Sequence, residues 1–551
     1  MSDRARGRVL PFVIALGGHR DLRAEDVPGL EARVADILGG LASRYPNTPL
    51  LLLSSLAEGA DRLGARVALR LGIGVVAVLP LPREEYERDF TTAEARAELA
   101  DLLGRAQDWF SVDVPPGSSR PYAYARAAAY ITQRSQLVLA LWDGAPVEGE
   151  AGTAPLVRFA LEGVPEGYGE PKSPLDTAER RPVAHVLTPR REHPRHVGDP
   201  LAFRWLYPEG YGSEEAAAKA FDEIWTRVEE FNRDAARIAP TPGAPGDDLL
   251  GGALGGPLPP RLRSTLDCHA RADALSIHFQ KATHRTLGWL LVLAFLAAAA
   301  LQGDPVARAS EFSLNGLYVG ALGAAYALWA WSRRARYQTK YLDYRALAEG
   351  LRVQVFWRLA GISDAAADHY LRKQRSELDW IRRAMRAYDL GPGWDGGGAA
   401  PGIRPLQLVL DRWVKPQSAY FSRAAQRNDG RYRKIQRCGY GFFAVALVLA
   451  FAKPFLSAQN PALVVVTLVP VVAALSTAWA DKLALAPLAK QYGRMSHVFA
   501  AADTALTAAI DEGNDARGRA LVQELGIEAL AENADWVLLH RDRPVTVPGT
   551  K

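Results

Sequence analysis

Residues 54–80 read SSLAEGADRLGARVALRLGIGVVAVLP, and this stretch decides the fold of the amino-terminal half. One apolar run, PLLLLSS (49–55), leads into it, and another, GVVAVLP (74–80), leads out. Neither run alternates apolar with polar residues, which is the pattern of strands covered on both faces of a parallel sheet. The helical stretch between them supplies the crossover that parallel strands require. Runs of the same kind lie at LPFVIAL (10–16), SQLVLALW (135–142) and PVAHVLT (182–188). From Val9 to about Leu187 the expectation is therefore a doubly wound α/β sheet. A helix is expected from about Ser213 to Ile238. After it, TPGAPGDDLLGGALGGPLPP (241–260) is too rich in glycine and proline for helix or strand, and the domain boundary falls there.

The chain has 551 residues, 48% of them hydrophobic, enough for two or three domains with their own cores. Its net charge of +5 and pI near 9.0 are mildly basic. The two cysteines, Cys268 and Cys438, match no metal-ligand or redox spacing and suit a reducing cytoplasm. The opening segment MSDRARGRVLPFVIALGG places basic residues before an apolar run. That run has neither a cleavage site nor the length of a full span, so it reads as a first strand and not a signal peptide.

Beyond the linker come four apolar stretches, Thr286 to Gln302, Leu314 to Trp331, Tyr440 to Leu456 and Ala462 to Ala480, each of about 17–19 residues. Buried helical hairpins of a soluble protein can have that length. Two features favour a bilayer. Trp289, Trp329, Trp331, Tyr440 and Trp479 sit at or near the ends of the runs, as in an interfacial aromatic belt. Basic residues cluster on one side: Lys281, His284 and Arg285 before the first run, Arg333, Arg334, Arg336 and Lys340 after the second, and Arg431, Arg433, Lys434 and Arg437 before the third. The connections 303–313 and 453–461 hold only Arg308 and Lys453. The positive-inside rule then predicts four transmembrane helices in two outward-looping hairpins, a multi-pass protein of the inner (cytoplasmic) membrane with both termini in the cytoplasm.

The hairpins look like copies of one unit, each with a polar helix before it and a heptad-patterned helix after it. Tyr337, Tyr341, Tyr344, Ala348, Leu351 and Val355 mark the apolar face of the first such helix. Leu485, Leu488, Tyr492, Met495, Phe499, Ala502 and Leu506 mark that of the second. Both faces are expected to pack within the chain, with oligomerisation as the other outlet. A second break is read in GPGWDGGGAAPGIRP (391–405). The expected division is 1–240 for the sheet domain, 241–261 for the linker, 262–390 for the first hairpin with its cytoplasmic helices, 391–405 for the break, and 406–551 for the second hairpin.

Ligands of open parallel sheets bind outside the carboxyl ends of the strands, where loops and helix N-termini offer backbone N–H groups to anions. Four loops supply candidates. Gly17, Gly18, His19 and Arg20 follow the first strand, the glycines for close backbone approach and Arg20 as a phosphate clamp. Ser54, Ser55, Glu58, Gly59, Asp61 and Arg62 follow the second, with serines to donate to phosphate and carboxylates to accept from ribose hydroxyls. Arg83 follows the third. Asp143 and Gly144 follow the fourth, with Gly152 and Thr153 downstream. Each also has a structural reading as a turn former or helix cap. His185, His193 and His196 read as sheet-end or surface residues, and the Arg190-Arg191 pair as either solvated or ligand-facing. Asp304, Glu311 and Asn315, in or beside the first outer connection, read as solvated, with a cation-attracting ring in an oligomer as the alternative. No acidic or basic residue lies deep in the first, second or fourth span, and Lys453 sits near the end of the third, which speaks against a pump or proton-coupled transporter.

Taken together, SSLAEGADRLGARVALRLGIGVVAVLP, ALWDG (140–144) and the Gly152-Thr153 pair resemble the SLOG superfamily, with its DprA-like and LOG-like members, over roughly residues 9–190. The resemblance implies a Rossmann-like domain that binds a nucleotide or nucleotide-derived ligand. LOG enzymes, which hydrolyse nucleotide phosphoribosyl bonds, carry PGG-x-GT-x-x-E. EAGTAPL (150–156) has the GT pair without the Glu, which puts hydrolysis in doubt. YRALAEGLRVQVFWRLAGI (344–362) and ENADWVLLHRDRPV (532–545) resemble SLATT domains, membrane modules that accompany SLOG or TIR domains in bacterial defence. That resemblance implies an oligomeric, pore-forming antiviral effector gated by a second messenger of cyclic-nucleotide or ADP-ribose type. No further cofactor, no metal and no nucleic-acid partner are expected. Two other functions stay open. One is a membrane-anchored hydrolase of a nucleotide derivative, with Glu58 or Asp61 as general acid/base. The other is a ligand-binding scaffold without conductance.

Overall fold

The computed structural model describes residues 9–145, 149, 152–169, 178–192, 198–238, 249–250, 260–302, 311–370, 375–391, 404–452, 455 and 462–545. The expected outer connections (apart from Glu311 and its neighbours), most of the two glycine-rich breaks, Asp304, Arg308, Lys453, His193 and His196 lie outside the described residues. The chain divides into two compact units. One comprises Met1–Ala239, Pro257–Cys268 and Gly361–Gly398; the other comprises Pro240–Gly256, His269–Ala360 and Ala399–Lys551.

The first unit is built on a seven-stranded sheet: β1 (Phe12–Gly18), β2 (Leu50–Ser54), β3 (Gly74–Leu79), β4 (Asp108–Ser111), β5 (Leu137–Trp142), β6 (Val183–Leu187) and β7 (Phe203–Leu206). Their order is β4-β3-β2-β1-β5-β6-β7, with every neighbouring pair parallel except β6 and β7. The helices of this unit are α1 (Val27–Arg44), α2 (Ala60–Arg70), α3 (Ala93–Arg105), α4 (Arg120–Arg134), α5 (Thr153–Glu162) and α6 (Glu214–Arg237). Period-two burial explains the continuous apolar runs. Phe12, Ile14, Leu16, Leu50 and Leu52 enter the core on one face of the sheet, while Val13, Ala15, Leu51 and Leu53 enter it on the other. The five expected strands are present. β4 and β7 were not legible, since DWFS and FRWL are four-residue edge strands with too few buried positions to stand out.

A further helix, Arg375–Tyr388, belongs to this unit, although the sequence boundaries placed it with the first hairpin. We label it α7. The reason is physical: Leu378, Trp380, Ile381, Ala384 and Met385 are buried, and its arginines are neutralised locally. Arg382 pairs with Glu179 at 2.7 Å, Arg383 with Asp379 at 2.6 Å, and Arg386 with both Glu179 and Asp368.

The second unit is helical. Its long elements are α8 (Pro260–Gln302, whose first residues belong to the sheet unit), α9 (Glu311–Ala335), α10 (Tyr337–Leu359), α11 (Lys415–Ala452), α12 (Ala462–Lys482), α13 (Leu485–Asp511) and α14 (Asp515–Arg541). Among the described residues, three helices are long and apolar enough to cross a membrane: Arg261–Leu301, Pro405–Phe451 and Leu468–Asp511. The helix over the second expected span, α9, is not one of them, because Asn315, Tyr318, Tyr326, Trp329 and Trp331 dilute its hydropathy. Large apolar side chains are nevertheless exposed along α8, α9 and α11: Trp289 is 62% exposed, Val319 65%, Tyr440 70% and Phe451 74%. An outer face of that kind needs a lipid or protein cover.

The heptad faces pack within the chain, but not on each other directly. α10 lies against α14, where Trp357 Nε1 donates to the Val522 carbonyl at 3.2 Å, and α13 lies along α11. Phe356, Trp413 and Phe499 join the two pairs, Phe356 stacked on Trp413 at 5.1 Å and Phe499 edge-on to Trp413 at 6.0 Å.

α9 and α12 are each followed by a left-handed residue that is not glycine, Arg336 (φ 57°) and Ala484 (φ 51°). Each lies five residues after a tryptophan (331 to 336, 479 to 484). Left-handed backbone costs an L-residue about 1–2 kcal/mol. Ala484→Gly is therefore expected to stabilise the helical unit by about 1 kcal/mol, read as a higher melting temperature of the detergent-solubilised chain. A drop would show that the alanine methyl makes a contact worth more than the strain.

Candidate functional site

In this sheet order the chain switches direction between β1 and β5, and a doubly wound sheet opens a crevice beyond the carboxyl ends of those two strands. A cleft of about 300 Å³ occupies that place. Its floor is the Gly17–Asp21 loop after β1. One wall is Ser55, Ala57 and Asp61 from the β2–α2 loop; Tyr124, Ala128 and Ile131 of α4 form another. Trp142 and the N-terminus of α5 (Gly152 to Leu156) close it, with Arg190 arriving from beyond β6.

The electrostatics favour an anion on one side. Gly152 caps α5 and has no side chain to cover the Thr153 and Ala154 amides at the start of that helix, the kind of terminus that suits an anion. Arg20 lies over the Tyr124 ring, 5.6 Å from its centre. Arg190 is held by Asp21, Nε to Oδ1 at 2.9 Å. Burial would raise the Asp21 carboxyl, but Arg190 and the Glu192 amide outweigh it and hold Asp21 below its usual range. The pair also ties the first loop to the segment after β6, where the Arg191 amide donates to the Asp21 carbonyl at 2.9 Å.

Burial lowers the pKa of His19 against the pull of Asp143, whose backbone amide and Oδ1 lie 3.0 and 3.2 Å from the ring's Nε2. His19 and Asp143 thus lock the first and fourth loops together. Asp61 lies deeper. Burial pushes its carboxyl up to about 6, against the Ser54 hydroxyl, the Ala57 and Gly18 amides and the charge of Arg20. Oδ1 accepts from Gly18 N at 3.2 Å; Oδ2 accepts from Ser54 Oγ at 3.1 Å and Ala57 N at 3.4 Å.

Of the residues expected from sequence, Gly17, Gly18, His19, Arg20, Ser55, Asp61, Gly152 and Thr153 line this cleft. Ser54, Glu58, Gly59, Arg62, Arg83, Asp143 and Gly144 do not. Ser54 is fully buried behind Asp61, and Asp143 serves His19. Arg62 is 1% exposed and holds the core together, bonded to the Leu56 and Ala95 carbonyls at 3.1 and 2.7 Å and lying 4.5 Å over the Phe90 ring. Arg83 pairs with Glu87 at 2.7 Å. The glycines also serve packing more than ligand approach, since a methyl on Gly18 would meet the Leu141 carbonyl oxygen at 2.7 Å. Tyr124 was missed: nothing in YAYARAAAY marks one face as ligand-facing until α4 is set beside the end of β1. His185 is buried under the cleft floor, bonded to the Trp142 carbonyl at 2.9 Å and to Arg204 at 3.0 Å.

The titration of Asp61 gives a signed prediction. Below about pH 6 its carboxyl is neutral and no longer competes for Arg20. A phosphodiester or pyrophosphodiester carries no group that titrates in this range, so any anion of that kind in the cleft is expected to be held more tightly as pH falls from about 7.5 to 5.5, by up to roughly tenfold. Calorimetric titration across that window checks it, and a flat or opposite profile would remove Asp61 from the electrostatics of the cleft.

No protein-family model matches the chain, and no curated protein matches it. Among solved structures it is similar to DNA processing protein A (DprA) from Streptococcus pneumoniae, with 21% identity over 32% of this chain and 54% of that chain, at a TM-score of 0.21. The chain thus spans about half the length of that structure. At that score the likeness carries no argument, and the doubly wound architecture rests on the strand order.

Proposed function

We propose that the cleft binds a nucleotide-derived second messenger and that binding gates a membrane pore assembled from the helical unit, in the service of bacterial antiviral defence. The observation that carries the ligand half is the meeting, at the β1/β5 switch point, of the α5 N-terminus with the Arg20 and Arg190 guanidiniums. Those groups suit phosphates. Trp142, which also lines the cleft, offers a ring for a base to stack against. Three helices of membrane-crossing length and the exposed apolar side chains of α8, α9 and α11 support the membrane half. On this reading α9 is the fourth span, its weaker hydropathy tolerated because it packs in an oligomer. The hairpins loop outward and both termini are cytoplasmic. The energy for opening must come from tighter ligand binding in the open state.

The test is dye release from liposomes carrying the full-length chain, with ADP-ribose and cyclic dinucleotides added in turn and their consumption followed in parallel. Release that depends on one ligand, without turnover, is expected. Arg20→Ala should weaken that ligand about 10- to 100-fold through loss of a charge-assisted contact, and leave membrane insertion intact. Turnover without release would replace the gated pore by a membrane-anchored hydrolase; binding without either would leave a scaffold.

A further inference from the structure

The helical unit holds a second cavity, also of about 300 Å³, which shares no residue with the cleft. It lies among α8, α10, α11, α13 and α14, and its lining is of two kinds. Trp413, Phe421, Phe499 and Trp536 are buried and form its apolar part, with Phe421 and Phe499 5.4 Å apart. Arg427 and Arg431 of α11, Lys482 at the end of α12 and Arg543 beyond α14 form its accessible part.

The acids of the cavity do not offset these cations. Glu349 lies between Arg345 and Arg352, at 2.6 and 2.9 Å, and Arg345 also reaches Asp273 at 2.9 Å, so these four groups balance one another. Glu532 is mostly protonated at pH 7, because burial first, and then Glu349, outweigh Arg345 and push its carboxyl up to about 8. Lys482 donates to the Pro544 carbonyl at 2.6 Å and Arg543 to the Leu539 carbonyl at 3.0 Å, neutral acceptors that leave both charges in place. Asp481, largely exposed, comes no nearer to Arg543 than 3.8 Å. Arg427 and Arg431, one turn apart on the same face of α11, have neither a hydrogen bond nor an ion pair among the described residues. The rim therefore carries an excess of positive charge.

Its position says what kind of anion it meets. Lys482 follows the apolar stretch of α12 by two residues, and Leu287, also in the lining, opens that of α8. Arg427 and Arg431 precede the apolar stretch of α11, where Phe443, Val448 and Phe451 are exposed. A basic pocket between membrane-crossing helices, on their cytoplasmic side, suits an anionic lipid headgroup. We propose that this rim binds the phosphate of an anionic phospholipid, with the Arg427 and Arg431 guanidiniums and the Lys482 ammonium as donors and the acyl chains against the exposed face of α11. Forked guanidiniums match phosphate oxygens. A zwitterionic headgroup would bring its own ammonium into a place already rich in positive charge. The inference rests on the membrane reading of the helical unit and is independent of what the cleft of the sheet unit binds.

The full-length chain, in neutral detergent micelles doped with equal amounts of phosphatidylglycerol and phosphatidylcholine, is expected to retain phosphatidylglycerol in preference by about fivefold or more, read by native mass spectrometry. Arg427→Gln and Arg431→Gln should each lower that retention about fivefold and leave the melting temperature near that of the parent, since neither side chain holds another described residue. Lys434→Gln is the control. Lys434 is an exposed cation of the same helix but lies outside the cavity lining, so its loss should leave retention as it was. Equal retention of the two lipids, or an equal loss in all three variants, overturns the proposal, the latter by showing diffuse attraction to a basic helix. Retention of added inorganic phosphate with no preference for phosphatidylglycerol would assign the rim to a free anion and overturn the lipid source. Failure of the membrane reading shows separately, as a chain that stays in solution without detergent.

Discussion

Gly59→Ala is expected to destabilise the sheet unit by about 3 kcal/mol or more and to abolish ligand binding, although Gly59 does not line the cleft. The residue caps α2 at φ 81° and ψ −119°, backbone that an L-residue enters only under strain. Strain is the smaller part. An added methyl would stand 2.3 Å from the Arg20 carbonyl oxygen and 2.6 Å from that of His19, both backbone atoms that no rotamer change can move aside. The Ala60 amide donates to the same His19 carbonyl at 3.0 Å, so relief of the clash means losing that bond and displacing residues 19 and 20 together. Those two residues carry the Arg20 guanidinium and the His19 lock on Asp143. Gly72→Ala is the control. Gly72 also has positive φ, 72°, but a methyl there meets nothing within 4 Å, so only the conformational cost of about 1 kcal/mol should appear and binding should persist. Thermal melts paired with calorimetric titration of both variants separate the effects. Parent-like binding by Gly59→Ala would mean that the first loop is not held as described.

That contrast shows where the sequence was readable and where it was not. A continuous apolar run such as PLLLLSS needs only its own composition to be recognised as a doubly covered strand, and the cleft follows from strand order by a general rule. The side chains that line the cleft do not. Arg20 and Arg62 both sit beside glycine-containing turns, yet Arg20, in the loop after β1, faces the cleft, while Arg62, on the first turn of α2, is consumed by the Leu56 and Ala95 carbonyls. Gly17 and Gly18 were recognisable as special but not for the right reason. Their missing side chains make room for Leu156, Ala60 and the end of β5, not for a ligand. The placement of α7 was beyond reach for another reason. RSELDWIRRAMRAYDL (375–390) reads as an amphipathic helix with a solvated basic face; its own Asp379 meets Arg383 one turn on, but only tertiary structure brings Glu179 and Asp368 to Arg382 and Arg386.

The placement of α7 leads to the second large expected effect. Asp389, one residue beyond α7, is 2% exposed and pairs with Arg134 at the end of α4, Nη2 to Oδ2 at 3.2 Å, while Arg134 Nε donates to the Asp389 carbonyl at 2.8 Å. Tyr130, whose ring lies 3.7 Å beneath that guanidinium, accepts the Gly391 amide at 2.6 Å. One stretch of α4 thus clamps residues 389–391, while Tyr124, Ala128 and Ile131 of the same helix wall the cleft. If the cleft binds a ligand as proposed, a helix that meets it on one face and the outgoing chain on another is a physical means of coupling, provided it has two arrangements for the ligand to choose between. Asp389→Ala removes the carboxylate from a buried pair and should cost about 3–5 kcal/mol. Asp389→Asn keeps the shape and should cost less. The functional expectation is sharper than the stability one: Asp389→Asn should bind the effective nucleotide as the parent does, because no cleft residue changes, yet release dye from liposomes without regard to ligand or not at all. Ligand-dependent release equal to that of the parent would mean that the signal leaves the cleft by a route other than α4.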